Sequence, residues 1–211
     1  KVKAASFAKV ETPAVRFFQK ASVKPLRLSQ IERSRIGELP NQHLIAIGAS
    51  TGGPQALSSI FKILPREMPP ILVVQHITPS FTQSFCDSLN HDSQLTVKLG
   101  TDGGRLARGH AYLAPGDQHM LLHRTSDALT LKLSSHDRVN RHRPSVDELF
   151  KSVAETVGKF AVGVLLTGMG VDGAAGLAQM REKGARTVVQ DEQSSVVFGM
   201  PRAAIDQNAA D

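Results

Sequence analysis

The chain has 211 residues and a mass of 22.7 kDa, with 41% hydrophobic and 21% charged residues. That composition is ordinary for a globular protein, and a chain of this size buries roughly 70% of its unfolded surface without help from disulfides or metal. Cys86 is the one cysteine, which excludes an internal disulfide, a dithiol redox pair and a thiolate zinc site. The formal charge of +6 suggests a nucleic-acid partner until it is mapped: nine Lys/Arg against three Glu in residues 1–40 account for all of it, whereas residues 41–211 carry 16 basic and 16 acidic side chains.

The leader holds Pro13, Pro25 and three aromatics, Phe7, Phe17 and Phe18. It lacks the basic–aromatic alternation of a stacking platform for nucleic acid. Residues 1–40 are therefore expected to be a basic linker or arm, with no nucleic-acid partner, and residues 41–211 one folded domain. No apolar run approaches the roughly 20 residues of a membrane span, and Lys1 to Ala8 lacks the apolar core of a secretory signal. A reducing, cytoplasmic setting without membrane insertion is expected.

From Pro40 onward the texture changes. His43 to Ile47 reads as a short buried strand ending at Gly48, and Pro54 opens a helix with Ala56, Leu57, Ile60, Phe61 and Leu64 on one face. Ile71 to Val74 is a second strand, followed by Thr78-Pro79 as cap and first helical residue before a helix over 80–90. Ala111 to Ala114, Met120 to Leu122 and Leu129 to Leu133 follow with no helix between them and predict an antiparallel meander. Ser145 and Glu148 form a capping box for a helix with Val146, Leu149, Phe150, Val153 and Val157 on its buried face. Ala161 to Leu166 is a third strand, leading through Thr167 to Gly173 into a helix over 174–183 that Gly184 closes. Thr187 to Val189 and Val196 to Phe198 read as further short strands. Strands alternating with helices predict an α/β fold: a doubly wound, mainly parallel sheet flanked by helices, with a small antiparallel excursion.

Ligands of such sheets bind beyond the carboxyl ends of the strands. The three strand-to-helix junctions carry Ser50, His76 and Asp172, so the sheet is expected to bring all three to one edge. A hydroxyl, an imidazole and a carboxylate are the parts of a nucleophilic hydrolase: attacking group, base then acid, and the group that orients the imidazole. Gly48-Ala49-Ser50-Thr51-Gly52 has the G-x-S-x-G pattern of a nucleophile elbow between strand and helix. Each residue also has a plainer role. Ser50 or Asp172 can cap a helix, His76 can be a satisfied junction histidine, and the Gly48 to Gly53 turn can cradle an anion. The alternative is thus a noncatalytic anion- or nucleotide-binding module, although no Lys follows the glycines as a P-loop requires. Convergence of three complementary groups on one edge favours the enzyme.

His119 and His123 lie four apart in a strand pattern with no Glu at the metalloprotease position, and His110, His136 and His142 lack ligand spacing, so no metal is expected. Arg138, Asn140, Arg141, His142 and Arg143 form a polar cluster before a helix, either a solvated loop or a wall that binds substrate carboxylates.

Across residues 42–206 the motifs IGASTGGPQAL, VVQHI, AYLAPGDQHM, RHRPSVDELF, LLTGMGVDGAAG and SSVVFGMPRAA occur in order, and together they closely resemble the catalytic domain of chemotaxis-receptor methylesterases, the CheB family. The resemblance implies a triad of Ser50, His76 and Asp172. It also implies oxyanion support from backbone amides at the elbow and near Met169, and help from Thr51 in orienting His76. It further implies hydrolysis of γ-glutamyl methyl esters, and deamidation of glutamines, on cytoplasmic helices of chemoreceptors, with no metal or organic cofactor. Family members carry an N-terminal receiver domain that controls the esterase site. On this resemblance residues 1–40 are its interdomain linker, the receiver is absent from this chain, and the chain is expected to be active without phosphorylation.

Overall fold

The computed structural model describes residues 43–211; the predicted basic linker lies outside the described residues. The chain begins with β1 (Leu44–Ala49), α1 (Gly53–Phe61), β2 (Ile71–Gln75) and α2 (Pro79–Asp92). It continues through β3 (Thr96–Leu99), β4 (His110–Leu113), β5 (His119–Arg124) and β6 (Leu129–Ser134). After α3 (Val146–Thr156) and a 3-10 turn (Gly158–Phe160) come β7 (Ala161–Leu165), α4 (Ala174–Glu182), β8 (Arg186–Val189) and α5 (Met200–Asp206).

Six strands form one parallel sheet in the order β3-β4-β2-β1-β7-β8, and β5 and β6 form a separate antiparallel pair. The doubly wound α/β expectation and its antiparallel excursion both describe this arrangement. Two hydrophobic layers sandwich the sheet. One gathers Leu57 and Phe61 of α1 with Cys86 and Leu89 of α2, and the other gathers Leu149, Phe150 and Val153 of α3 with Leu177 and Met180 of α4. β1 lies in the middle, with β2 on one side and β7 on the other, so the winding reverses there and a crevice opens beyond its carboxyl end.

The antiparallel region is smaller than the predicted meander. β4 pairs in parallel with both β2 and β3. Its buried run Ala111–Leu113 is the mark of a strand covered on both faces, and the missing helix before it misleads because residues 100–109 cross over as a loop. β3 escapes a periodicity reading because it is an edge strand with exposed Thr96 and Lys98, a pattern that discourages pairing with another chain. The predicted strand at Val196 to Phe198 is a loop that meets the segment after β7 through one isolated bridge, Phe198 to Gly168, and α5 after it lies outside the sequence-based expectations. The β5–β6 hairpin rests on α3: Leu122 donates its amide to Ser152 Oγ at 2.9 Å, while Met120 and Leu122 join the α3 core.

Candidate active site

Ser50 is the first residue beyond β1, and His76 the first beyond β2. The register Ala49–Gln75 and the bond from His76 N to Ala49 O, 3.0 Å, make the two residues neighbours at the carboxyl edge. Gln75 ties them: its buried Nε2 donates to Ser50 O at 2.9 Å and to His76 O at 3.0 Å. The elbow turns through Gly52, whose φ of 83° lies in the left-handed region that favours glycine. Gly52, not Ser50, is the N-cap of α1.

Asp172 comes from the loop after β7 and is 1% exposed. Gly173 is the N-cap of α4, so the carboxylate does not cap the helix that follows it. It sits instead on the N-terminus of α3. Oδ2 accepts from His76 Nε2 at 2.8 Å and from Val146 N at 2.7 Å. Oδ1 accepts from Ser145 Oγ at 2.7 Å, Asn140 Nδ2 at 3.0 Å and Asp147 N at 3.2 Å. Helix N-termini attract anions through unpaired amides and the helix dipole. Burial alone pushes the Asp172 carboxyl up, but the bonds from His76, Asn140, Ser145 and Val146 outweigh it and hold the pKa down at about 2. Asp172 is ionised at neutral pH.

The His76 ring is held from two sides. Nε2 meets Asp172, and the His142 ring stacks on its face with centroids 3.7 Å apart and planes 7° from parallel. Burial lowers the His142 pKa first, with His76 adding to the effect, which favours a neutral ring stacked on His76. His76 Nδ1 is buried and has no hydrogen-bond partner among the described residues. With Nε2–H donated to Asp172, Nδ1 carries the lone pair.

Of the residues singled out from sequence, His76 and Asp172 are in direct contact, and Ser50 lies opposite His76 just beyond the paired strand ends, with no side-chain hydrogen bond among the described residues. Thr51 is exposed, and its carbonyl accepts from Thr167 Oγ1 at 2.9 Å; its hydroxyl does not hold His76. Met169 is 72% exposed on the loop after β7. That loop abuts the serine, since a Cβ on Gly168 would lie 2.8 Å from Ser50 Cβ. The Thr51 and Met169 amides donate to no protein acceptor among the described residues. His119 uses Nδ1 to accept from Ser145 N and Nε2 to reach Asp137 O. No group of His, Cys, Asp or Glu among the described residues has the arrangement of a metal site.

Sequence reasoning missed Gln75 and the roles of Asn140 and Ser145. The capping box at Ser145 was a usable signal, since it marks a helix N-terminus in need of an anion; that Asp172 supplies it emerges only in three dimensions.

A sequence model of the family described as CheB methylesterase matches residues 45–211. The chain belongs to the CheB methylesterase family. The crystal structure of the Thermotoga maritima CheB methylesterase catalytic domain superposes with a TM-score of 0.78 at 39% identity, covering 80% of this chain and 90% of that one. Two CheB relatives carry the name protein-glutamate methylesterase/protein-glutamine glutaminase. That of Photorhabdus laumondii is 49% identical over 213 residues, 100% of this chain and 57% of the relative. That of Escherichia coli K12 is 54% identical over 168 residues, 80% of this chain and 48% of the relative. The chain thus spans about half the length of the curated relatives it matches.

Proposed function

We propose that this chain is the catalytic part of a cytoplasmic chemoreceptor methylesterase and glutaminase, acting through Ser50, His76 and Asp172. The names of its CheB relatives support the reaction class. The observation that carries the assignment of residues is the polarised imidazole: His76 is bonded to Asp172 through Nε2 at 2.8 Å, while its buried Nδ1 is left without a partner beside the Ser50 elbow.

In this mechanism Ser50 Oγ attacks the γ-carbonyl carbon of a methylated glutamate while His76 Nδ1 takes its proton. Negative charge moves to the carbonyl oxygen, which the Thr51 and Met169 amides stabilise. The tetrahedral intermediate collapses as His76 returns the proton to the leaving oxygen, releasing methanol. Water, activated by His76, then attacks the acyl-serine and releases glutamate. With a glutamine the leaving group is ammonia and the remaining steps are the same. Asp172 keeps Nε2 protonated and stabilises the imidazolium. The chemistry draws on side chains and backbone amides alone.

Residues 41–211 are the catalytic unit in this reading, preceded by the linker, with a receiver domain of the full-length protein controlling access. The anion-cradle alternative fits the elbow less well. Gly53 N is already bonded to Ser50 O at 2.8 Å, and Ser50 N to Thr167 O at 3.0 Å, so two amides that would hold a phosphate are engaged.

A serine-directed phosphonate is expected to label Ser50, and methyl-labelled receptor membranes to yield methanol. Ser50→Ala is expected to abolish labelling and lower turnover by about 10⁶-fold. Methanol release that survives Ser50→Ala would overturn the proposal.

A further inference from the structure

Residues 139–142 make a two-residue hairpin turn. Val139 and His142 exchange backbone hydrogen bonds of 3.1 and 2.8 Å, and Asn140 and Arg141 between them have φ of 51° and 69°. Such turns favour Asn followed by Gly, because both central residues are left-handed. Asn140 fits the rule, and its amide is engaged: Nδ2 donates to Asp147 Oδ2 at 2.7 Å and to Asp172 Oδ1 at 3.0 Å. Arg141 breaks it. A long side chain occupies the position where glycine is free of strain, and backbone strain retained at a site edge points to a role for the side chain that imposes it.

Arg141 is exposed and makes no hydrogen bond or ion pair among the described residues. It lines a cleft of about 480 Å³ that opens at His76, together with Arg138, Arg143 and Asp117. Arg143 is satisfied: Nε and Nη2 donate to Asp117 Oδ1 at 3.2 and 3.1 Å, and Nη1 donates to the carbonyls of Ser135 and His136. Arg138 reaches the same Asp117 oxygen at 3.7 Å. One carboxylate is therefore shared by two guanidinium groups, and with Arg141 uncommitted the cleft beside the base has a surplus of positive charge. A γ-methyl ester is neutral, so this charge is not matched to the reacting group itself. It matches a carboxylate next to it.

We propose that Arg141 is a specificity-determining residue that pairs with a carboxylate side chain adjacent in space to the ester-bearing glutamate, so that the cleft selects acidic polypeptide segments. The proposal rests on the esterase reading of the site. Guanidinium meets carboxylate through two parallel N–H donors, a geometry lysine does not reproduce.

The test compares two synthetic peptides carrying the same glutamyl methyl ester, one flanked by Glu and the other by Gln, with methanol release giving kcat/KM for each. The full chain is expected to prefer the acidic peptide by about fivefold at low salt, near the upper end for an exposed ion pair, and to lose the preference as salt is raised. Arg141→Gly, which removes the backbone strain and so does not threaten folding, is expected to bring the ratio to about one, and Arg141→Glu to invert it. A ratio unchanged in Arg141→Gly, or lost in Arg138→Gln but not in Arg141→Gly, overturns the assignment. Equal hydrolysis of both peptides by the unmodified chain sinks this proposal alone, whereas hydrolysis of neither, with Ser50 unlabelled by the phosphonate, sinks the esterase reading and this proposal with it.

Discussion

The two halves of the site are built differently. On one side the Asp172 carboxylate, 1% exposed, accepts five hydrogen bonds from His76, Asn140, Ser145, Val146 and Asp147, and His76 is clamped between it and His142. On the other side Ser50 is half-buried, Thr51 is exposed and Met169 is 72% exposed, and their loops meet through Thr167, bonded to Ser50 N and Thr51 O, and through close backbone packing at Gly168. The Asp172–His76 half is held by hydrogen bonds and ring stacking, while the Ser50 half offers unbonded amides and open space. This division suits the proposed acyl transfer, in which a proton relay would gain from preorganisation and a polypeptide substrate would need access to Ser50.

Asp172→Asn strikes the fixed half hardest. The amide leaves His76 in the wrong tautomer, so turnover is expected to fall by about 10⁴-fold. One oxygen is also replaced by a donor facing other donors, which is expected to cost about 1–3 kcal/mol of stability in urea denaturation. Turnover within a few-fold of normal would reduce Asp172 to an anchor for α3. On the open half, Gly168→Ala would place a methyl group 2.1 Å from Met200 Sδ and 2.8 Å from Ser50 Cβ. The thioether can swing away but the serine is displaced, so a loss of about 10²-fold in kcat is expected with the His76–Asp172 pair untouched. A normal rate would mean that Ser50 tolerates this displacement without losing its attack geometry.

The smallest effect is thermodynamic. Asp172 titrates at about 2 in the folded chain against an ordinary 3.8. A depressed folded pKa contributes stability that is fully present above the unfolded value and lost as pH falls through the folded one, here about 2 kcal/mol. Asp147 works in the opposite sense, since burial raises its carboxyl pKa. Denaturant midpoints taken above and below this window are expected to fall with acid in the native chain and to show a flatter slope in Asp172→Asn. Equal slopes would mean that the five bonds do not hold the charge.

Much of this was legible in the sequence because apolar runs and their terminating polar residues report directly on buried strands. Ile71 to Val74 and Ala161 to Leu166 cannot be solvated, and the residues just beyond them must lie at a sheet edge. Strand partners were less legible. Ala111 to Leu113 reads the same whether its neighbours run parallel or antiparallel, and β3 gives half its side chains to solvent. The Ser, His and Asp gathered at the sheet edge were visible too, whereas the residues that position them were not. Gln75 looks like a polar strand end and Asn140 like a turn former; each acts by donating to groups that local periodicity does not encode.

The hairpin of β5 and β6 carries none of the reacting groups, yet it bears on them. Leu122 is bonded to Ser152 in the middle of α3, and the first turn of that same helix grips Asp172. An 11-residue helix is a rod of about 16 Å, so slack at the hairpin is transmitted to the acid as tilt. Anyone paring the protein down would find that this ribbon of ordinary-looking sequence braces the helix whose first turn grips Asp172.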